Sequence, residues 1–274
     1  MTTSRKRHRK YKRKKNRQNL FKFFHKSLSL LATTTVTLLT ISIIIQFLGN
    51  PYIFVGNILG DEPKTHRQTW LKYGKIFKDN HTSHLSASFL AGLAQTESSG
   101  RQWTSSDWIF SLDRGLFKVY APKSSSFGLM QFTEATFAQA KNLCINSTKV
   151  ESAKSWYMLD GCWFTFFKTR ASASDSIETT AAYLQKLIND QVLLKNKTIT
   201  SRNAQRLAAI AHQCGASKAK TFIQNNYYLS PQKKCGEHSV SKYVRDVMRN
   251  KRVFDTIDQN LLALKKSNRS LNFQ

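Results

Sequence analysis

Residues 27–60 run for 34 positions without a charged side chain, and that run limits what the chain can fold into more than any motif does. Within it, residues 28–48 (LSLLATTTVTLLTISIIIQFL) hold 13 apolar side chains in 21 positions. As a helix the stretch spans about 31 Å, roughly one hydrocarbon core of a bilayer. The threonines dilute its hydrophobicity, but a Thr hydroxyl can return to a carbonyl one turn back, so no polar group is stranded. Asn50-Pro51 ends the run, because the residue before proline is steered out of the helical region. A buried core helix seldom runs this long without a charge. A cleavable signal peptide is the closer rival, since the basic segment before the run would suit it. The stretch is long for that purpose, however, and no small-residue cleavage site follows. The preferred reading is one uncleaved transmembrane signal anchor over residues 27–49.

Charge sets its direction. The chain carries 43 Lys and Arg against 16 Asp and Glu, a net of +27. Twelve of those bases and no acid lie in residues 1–26, which leaves 31 bases against 16 acids, a net of +15, for the rest. The basic tail before the span and Asp61 and Glu62 after it put the N-terminus in the cytoplasm. The expectation is a single-pass protein of the inner (cytoplasmic) membrane with a periplasmic domain. The tail, RKRHRKYKRKKNRQ, would also suit nucleic acid. Its place directly before an apolar span makes topology and anionic-lipid contact the better account, and no nucleic-acid partner is expected. The basic remainder rules out an acidic cytosolic enzyme and favours an anionic partner or surface.

Beyond the span, residues 50–66 read as a linker and residues 67–264 as one mainly α domain, followed by a polar tail over 265–274. Trp70, Tyr73, Ile76 and Phe77 share a helical face, as do Leu85, Phe89, Leu93 and Ala94. Further helices are expected over 133–143 with Thr133 near the cap, from a Ser174 cap through Ile188, over 202–212, and over 239–264. Residues 101–126, rich in Trp, Phe, Ser and Gly, lack a helical period. There, 108–110 and 116–120 read as short strands or an irregular flap. Four cysteines, Cys144, Cys162, Cys214 and Cys235, fall in the exported part. They permit three pairings, of which sequence neighbours, Cys144–Cys162 and Cys214–Cys235, are favoured. Zinc is the rival, through His212-x-Cys214 and Cys235-x-x-His238, but neither pair has the grammar of a structural zinc site. Outside the cytoplasm disulfides are the expected outcome, and no metal is expected.

Chemistry enters with three stretches. Residues 89–100 read FLAGLAQTESSG, an apolar helix ending in Glu97. The carbonyl end of the helix dipole and the apolar neighbours both disfavour the anion there, which suits a general acid. Residues 124–133 read SSSFGLMQFT and lead into a helix. Residues 207–216 read LAAIAHQCGA, with SKYVRDV at 241–247. Together, in this order, they resemble lytic transglycosylases of the soluble-lytic-transglycosylase type, glycoside hydrolase family 23, across residues 84–250. The family pattern is a helix ending E-S, then G-L-M-Q, then A-A-Y-N-A-G, then a late Tyr-Val. The long flap, the Cys162-Trp-Phe stretch and Cys235-Gly-Glu-His look similar to a cysteine-containing subgroup.

The resemblance implies a lysozyme-like helical domain with Glu97 as the single catalytic acid. It also implies sugar-contacting roles for Ser98, Ser126, Gly128, Met130, Gln131 and Tyr243. The Y-N-A-G motif departs here to His212-Gln213-Cys214-Gly215, and those two polar positions are candidates for substrate contact with a different reach. Plainer roles compete: Ser98 ending its helix, Gly128 making a turn, and Met130, His212 and Tyr243 serving in packing. Glu178 is read as structural, capping or pairing with a base. The implied substrate is peptidoglycan glycan strands, cut at the N-acetylmuramic acid–N-acetylglucosamine link without a cofactor. A cell-envelope machine is a further candidate partner. A lysozyme-type hydrolase would need a second acid, such as Asp107 or Asp113. The aromatic side chains Trp103, Trp108, Phe110 and Tyr120 could cover sugar faces. A wall-binding scaffold with a degenerate site is the reading from a different class.

Overall fold

The computed structural model describes residues 2–49, 51, 56, 61–111, 113, 115, 120–153, 162, 165, 167–193, 198–236 and 238–271. Much of the expected linker, most of the second flap strand (116–119), Trp163, Phe164, Glu237 and the last three residues of the polar tail lie outside them. The chain divides into two compact units, residues 1–51 with 107–123, and residues 52–106 with 124–274.

The first unit contains helix α1 (Thr2–Gly49) and a two-stranded hairpin. Residues Phe21–Ile45 of α1 are long and apolar enough to cross a membrane, which fits either an anchor or a signal sequence. Thr33, Thr37 and Thr40 each donate to the carbonyl four residues back at 2.9 Å, so the polar hydroxyls are absorbed by the helix itself. Strands β1 (Trp108–Phe110) and β2 (Tyr120–Pro122) pair antiparallel with Ile109 opposite Ala121. Tyr120 lies 4.6 Å from the Phe110 ring and 5.2 Å from the Trp108 ring, ring centre to ring centre. These aromatic residues therefore pack on one another.

The second unit is helical. Helix α2 (His66–Asp79) starts with a capping box between Thr65 and Gln68 and buries Trp70, Tyr73 and Phe77. Helix α3 (Ala87–Ser98) starts at the Ser86 cap and is buried along nearly its whole length. Phe89, Leu90 and Leu93 are fully enclosed, each burial worth about 1.5–3 kcal/mol. Helix α4 (Glu134–Ala140) begins at the Thr133 cap as expected. It stops three residues early, because Leu143 starts a strand. Strands β3 (Leu143–Asn146) and β4 (Lys149–Ser152) form a hairpin whose turn residues Ser147 and Thr148 take positive φ. Glu178 accepts the Ile145 N–H at 3.0 Å and pairs with Lys168 at 2.8 Å, so this glutamate is structural.

Helix α5 (Ala173–Leu193) is capped two residues earlier than Ser174, with the Ser172 hydroxyl accepting the Asp175 N–H. Helix α6 (Ser201–Cys214) starts at the Thr200 cap. Helix α7 (Ala216–Gln224) had no counterpart in the sequence reading. The short hairpin of β5 (Lys234–Cys235) and β6 (His238–Ser239) leads into α8 (Val240–Leu271), which runs through much of the expected polar tail.

Helices α3 and α8 cross so closely that Gly92 is required. A Cβ there would lie 2.8 Å from the Lys251 nitrogen and 2.9 Å from the Val247 carbonyl oxygen. Part of the expected linker also belongs to this unit. Lys64 N–H donates to the Ser99 carbonyl at 2.8 Å, and Asp61 binds Lys64 and accepts the Gln102 and Trp103 amides. Burial raises the Asp61 carboxyl, but the Lys64 ammonium and the two amides outweigh it and hold the group below its ordinary range.

Candidate active site at the end of α3

Glu97 sits on the last turn of α3, with 17% of its side chain exposed, so it faces solvent through a narrow window. Two side chains reach its carboxylate, and a third segment reaches it through one of them. The Tyr243 hydroxyl, from the first turn of α8, donates to Oε1. His212, near the end of α6, brings Nδ1 to 3.1 Å from the same oxygen. The other ring nitrogen, Nε2, lies 3.0 Å from the Met130 carbonyl in the turn before α4. A carbonyl only accepts, so Nε2 carries a proton and Nδ1 is left for Glu97. A neutral ring then receives a proton at Nδ1 from a neutral carboxyl, whereas a protonated ring donates to the carboxylate.

The Tyr243 hydroxyl is also 3.3 Å from Nδ1. Its pKa is pushed well above the phenol range, first by burial and then by the neighbouring Glu97 charge and hydrogen bond. It therefore remains a donor. Crossing of α3 and α8 at Gly92 brings Tyr243 over Glu97. The Cys214–Cys235 disulfide ties the end of α6, next to His212, to the hairpin that starts α8.

Ser98 is buried and donates to the Ala94 carbonyl at 2.9 Å, closing the helix. Gly128 has φ +85°, and a Cβ there would lie 2.4 Å from the Arg170 carbonyl oxygen, so only glycine fits the turn. Gln131 donates to the Thr104 and Gly128 carbonyls at 3.0 and 2.9 Å and stiffens the loop. Met130 is fully buried and reaches the site through its backbone. Ser126 is half-buried in the same loop and Gln213 half-buried beside His212. Asp107 and Asp113 belong to the other unit, while Trp103 lies edge-on to Phe127 in this one.

The four cysteines pair as sequence neighbours, Cys144–Cys162 and Cys214–Cys235. Both zinc pairings lose their sulfurs this way. The same applies to the trio Cys144, Glu151 and Cys162, whose two sulfurs are bonded to each other.

Arg170 was missed at the sequence level. It is buried and donates to the Ser125 and Phe132 carbonyls, at either end of the Gly128–Gln131 turn. A lone arginine in a Thr-Arg-Ala-Ser run offers no periodic or motif signal. Asn250 was also missed. It donates to Thr96 and accepts from His66, both at 3.0 Å, pinning the last turn of α3 between α2 and α8. Compared with models of known protein families, with curated proteins and with solved structures, the chain matches none.

Proposed function

We propose that the chain is a membrane-anchored peptidoglycan lytic transglycosylase with a lysozyme-like catalytic domain and Glu97 as its acid. The observation that carries the reading is that the motif-bearing stretches meet at one carboxylate, Tyr243 and His212 reaching Glu97 directly and the Met130 carbonyl holding His212. In this reading α1 anchors the protein in the cytoplasmic membrane, its basic end inside, and the helical domain faces the wall.

Glu97 in its neutral form donates its proton to the glycosidic oxygen as the C1–O bond of the N-acetylmuramic acid breaks. Positive charge develops on that sugar as an oxocarbenium ion. The carboxylate left behind takes the proton of the same sugar's C6 hydroxyl while O6 bonds to C1, closing a 1,6-anhydro ring. Glu97 ends the cycle protonated and no water is consumed, so one carboxyl suffices where hydrolysis uses two. Tyr243 supports the carboxylate formed midway with a charge-assisted hydrogen bond. His212, its tautomer fixed by the Met130 carbonyl, orients the Glu97 carboxyl through Nδ1.

The test is digestion of purified peptidoglycan by the full chain in a nonionic detergent, read by mass spectrometry. Fragments lighter by one water than hydrolytic ones are expected, with loss of about 10²–10⁴-fold in rate for Glu97→Gln. Reducing ends would replace the proposal with a lysozyme-type hydrolase. Intact strands that retain the bound protein would make it a scaffold.

A further inference from the structure

Helices α6 and α8, with the turn at 81–86, enclose a cavity of about 990 Å³ within the second unit. Ser86, at its edge, lies eleven residues before Glu97 on α3, about 16 Å along the helix. Neither Glu97, His212 nor Tyr243 lines it, although Ser241 and Val244, close to Tyr243 on α8, do. Arg202 and Arg206 line it from α6, and Arg245, Lys251 and Arg252 from α8; no acidic residue does. Lys251 is paired with Asp255 at 2.7 Å. Among the described residues, none of the four arginines makes an ion pair.

Arg206 is held in place by the Phe222 ring, 5.0 Å from its guanidinium carbon. Burial, and then the charge of Arg202, push its pKa below the ordinary arginine value. Like charges are thus gathered with no compensating acid, an arrangement that an entering anion relieves. Arg245 and Arg252 are two turns apart on one face of α8, about 10 Å along the axis. Leu229, Val244 and Met248 supply an apolar wall beside them, which has no role for an inorganic ion.

We propose that this cavity binds an organic ligand carrying a phosphate or phosphodiester group, gripped by Arg202, Arg206, Arg245 and Arg252 with its carbon part on Leu229, Val244 and Met248. Guanidinium forks match phosphate oxygens two at a time. The ligand is either a soluble phosphate compound or a lipid headgroup.

Calorimetric titration of the full chain in nonionic detergent, at fixed ionic strength, tests this with two probes. One is inorganic pyrophosphate. The other is dihexanoyl-phosphatidylglycerol, with dihexanoyl-phosphatidylcholine as its neutral counterpart. Saturable binding of one probe is expected, weakened at least tenfold by Arg202→Gln with Arg245→Gln and abolished by Arg245→Glu. These two arginines are exposed, so the fold tolerates the changes, and an unchanged melting curve checks this. The control pair Lys220→Gln and Lys242→Gln removes the same charge outside the cavity. Equal weakening by the control pair would reduce the effect to bulk attraction and overturn the proposal, as would absence of saturable binding by both probes. Binding of pyrophosphate alone identifies a soluble source, and binding of the anionic lipid over its neutral counterpart identifies a headgroup. The readout is independent of wall cleavage, so it stands or falls apart from the transglycosylase reading.

Discussion

Replacing Gly92 by alanine sets two effects of opposite sign against each other. Alanine in a helix interior is favoured over glycine by about 0.8–1 kcal/mol. Against that, the added Cβ would meet the Lys251 nitrogen at 2.8 Å and the Val247 carbonyl oxygen at 2.9 Å. Both obstacles are backbone atoms of α8, so no side-chain rotation relieves them. Restoring ordinary contact near 3.4 Å means moving the helices apart by about 0.6 Å, and gaps of that size forfeit a quarter or more of each dispersion contact. Val244, Val247 and Phe254 are all buried on α8, and such overpacking costs about 1–3 kcal/mol. Because both obstacles are backbone atoms the upper half of that range, about 2–3 kcal/mol, applies, and less the helix preference it leaves destabilisation of about 1–2 kcal/mol, or a melting temperature lower by roughly 2–8 °C for a domain of this size. Circular dichroism melts of the full chain measure it. Gly74→Ala is the comparison, because its Cβ would first meet the Trp70 ring at 3.2 Å, a side chain rather than backbone, and its effect should be smaller. A Gly92→Ala protein that melts at or above the wild type would refute the argument that close backbone approach sets the crossing.

Three further outcomes follow from the same geometry. Converting Cys214 and Cys235 to serine should cost about 3 kcal/mol on the loop-entropy account, given the 21-residue separation, and should broaden the melt. Because the Asp61 carboxyl is held below its unfolded value of 3.8, the unfolded chain binds more protons at low pH. That stability is present above pH 3.8 and lost as pH falls through the folded value. Asp61→Asn should therefore lower the neutral-pH melt and flatten its fall below pH 4. If Glu97 works as proposed, Tyr243→Phe removes a hydrogen bond to a charged group worth about 1.5–3 kcal/mol. Peptidoglycan cleavage should then slow about tenfold to a hundredfold, and the melt should fall by no more than that hydrogen bond contributes.

Local chemistry was readable wherever a rule acts within one turn or one uninterrupted run. The 34 uncharged residues required a long helix, Thr133 capped α4, and the apolar spacing around Trp70 and Phe89 placed two buried helices. Neighbouring cysteines closed the two shortest loops. Failures occurred where the deciding partner is distant in sequence. The β3–β4 hairpin replaces the end of an expected helix because Glu178, 33 residues away, accepts the Ile145 amide. The linker is shorter than its composition suggests because Asp61 binds amides 41 and 42 residues further along.

The candidate site divides in the same way. Sequence alone determined that an apolar helix ends in Glu97 and that a glycine turn, a His-Gln-Cys-Gly run and a late tyrosine follow it. Periodicity and capping are local and survive without tertiary context. Tertiary structure alone decided that His212 offers Nδ1 to Glu97 rather than its side chain to a distant ligand. It also decided that Ser98 is spent on its own helix and that Arg170 holds the glycine turn. Each of these is a competition among hydrogen-bond partners, and burial settles it only once α3, α6 and α8 have packed.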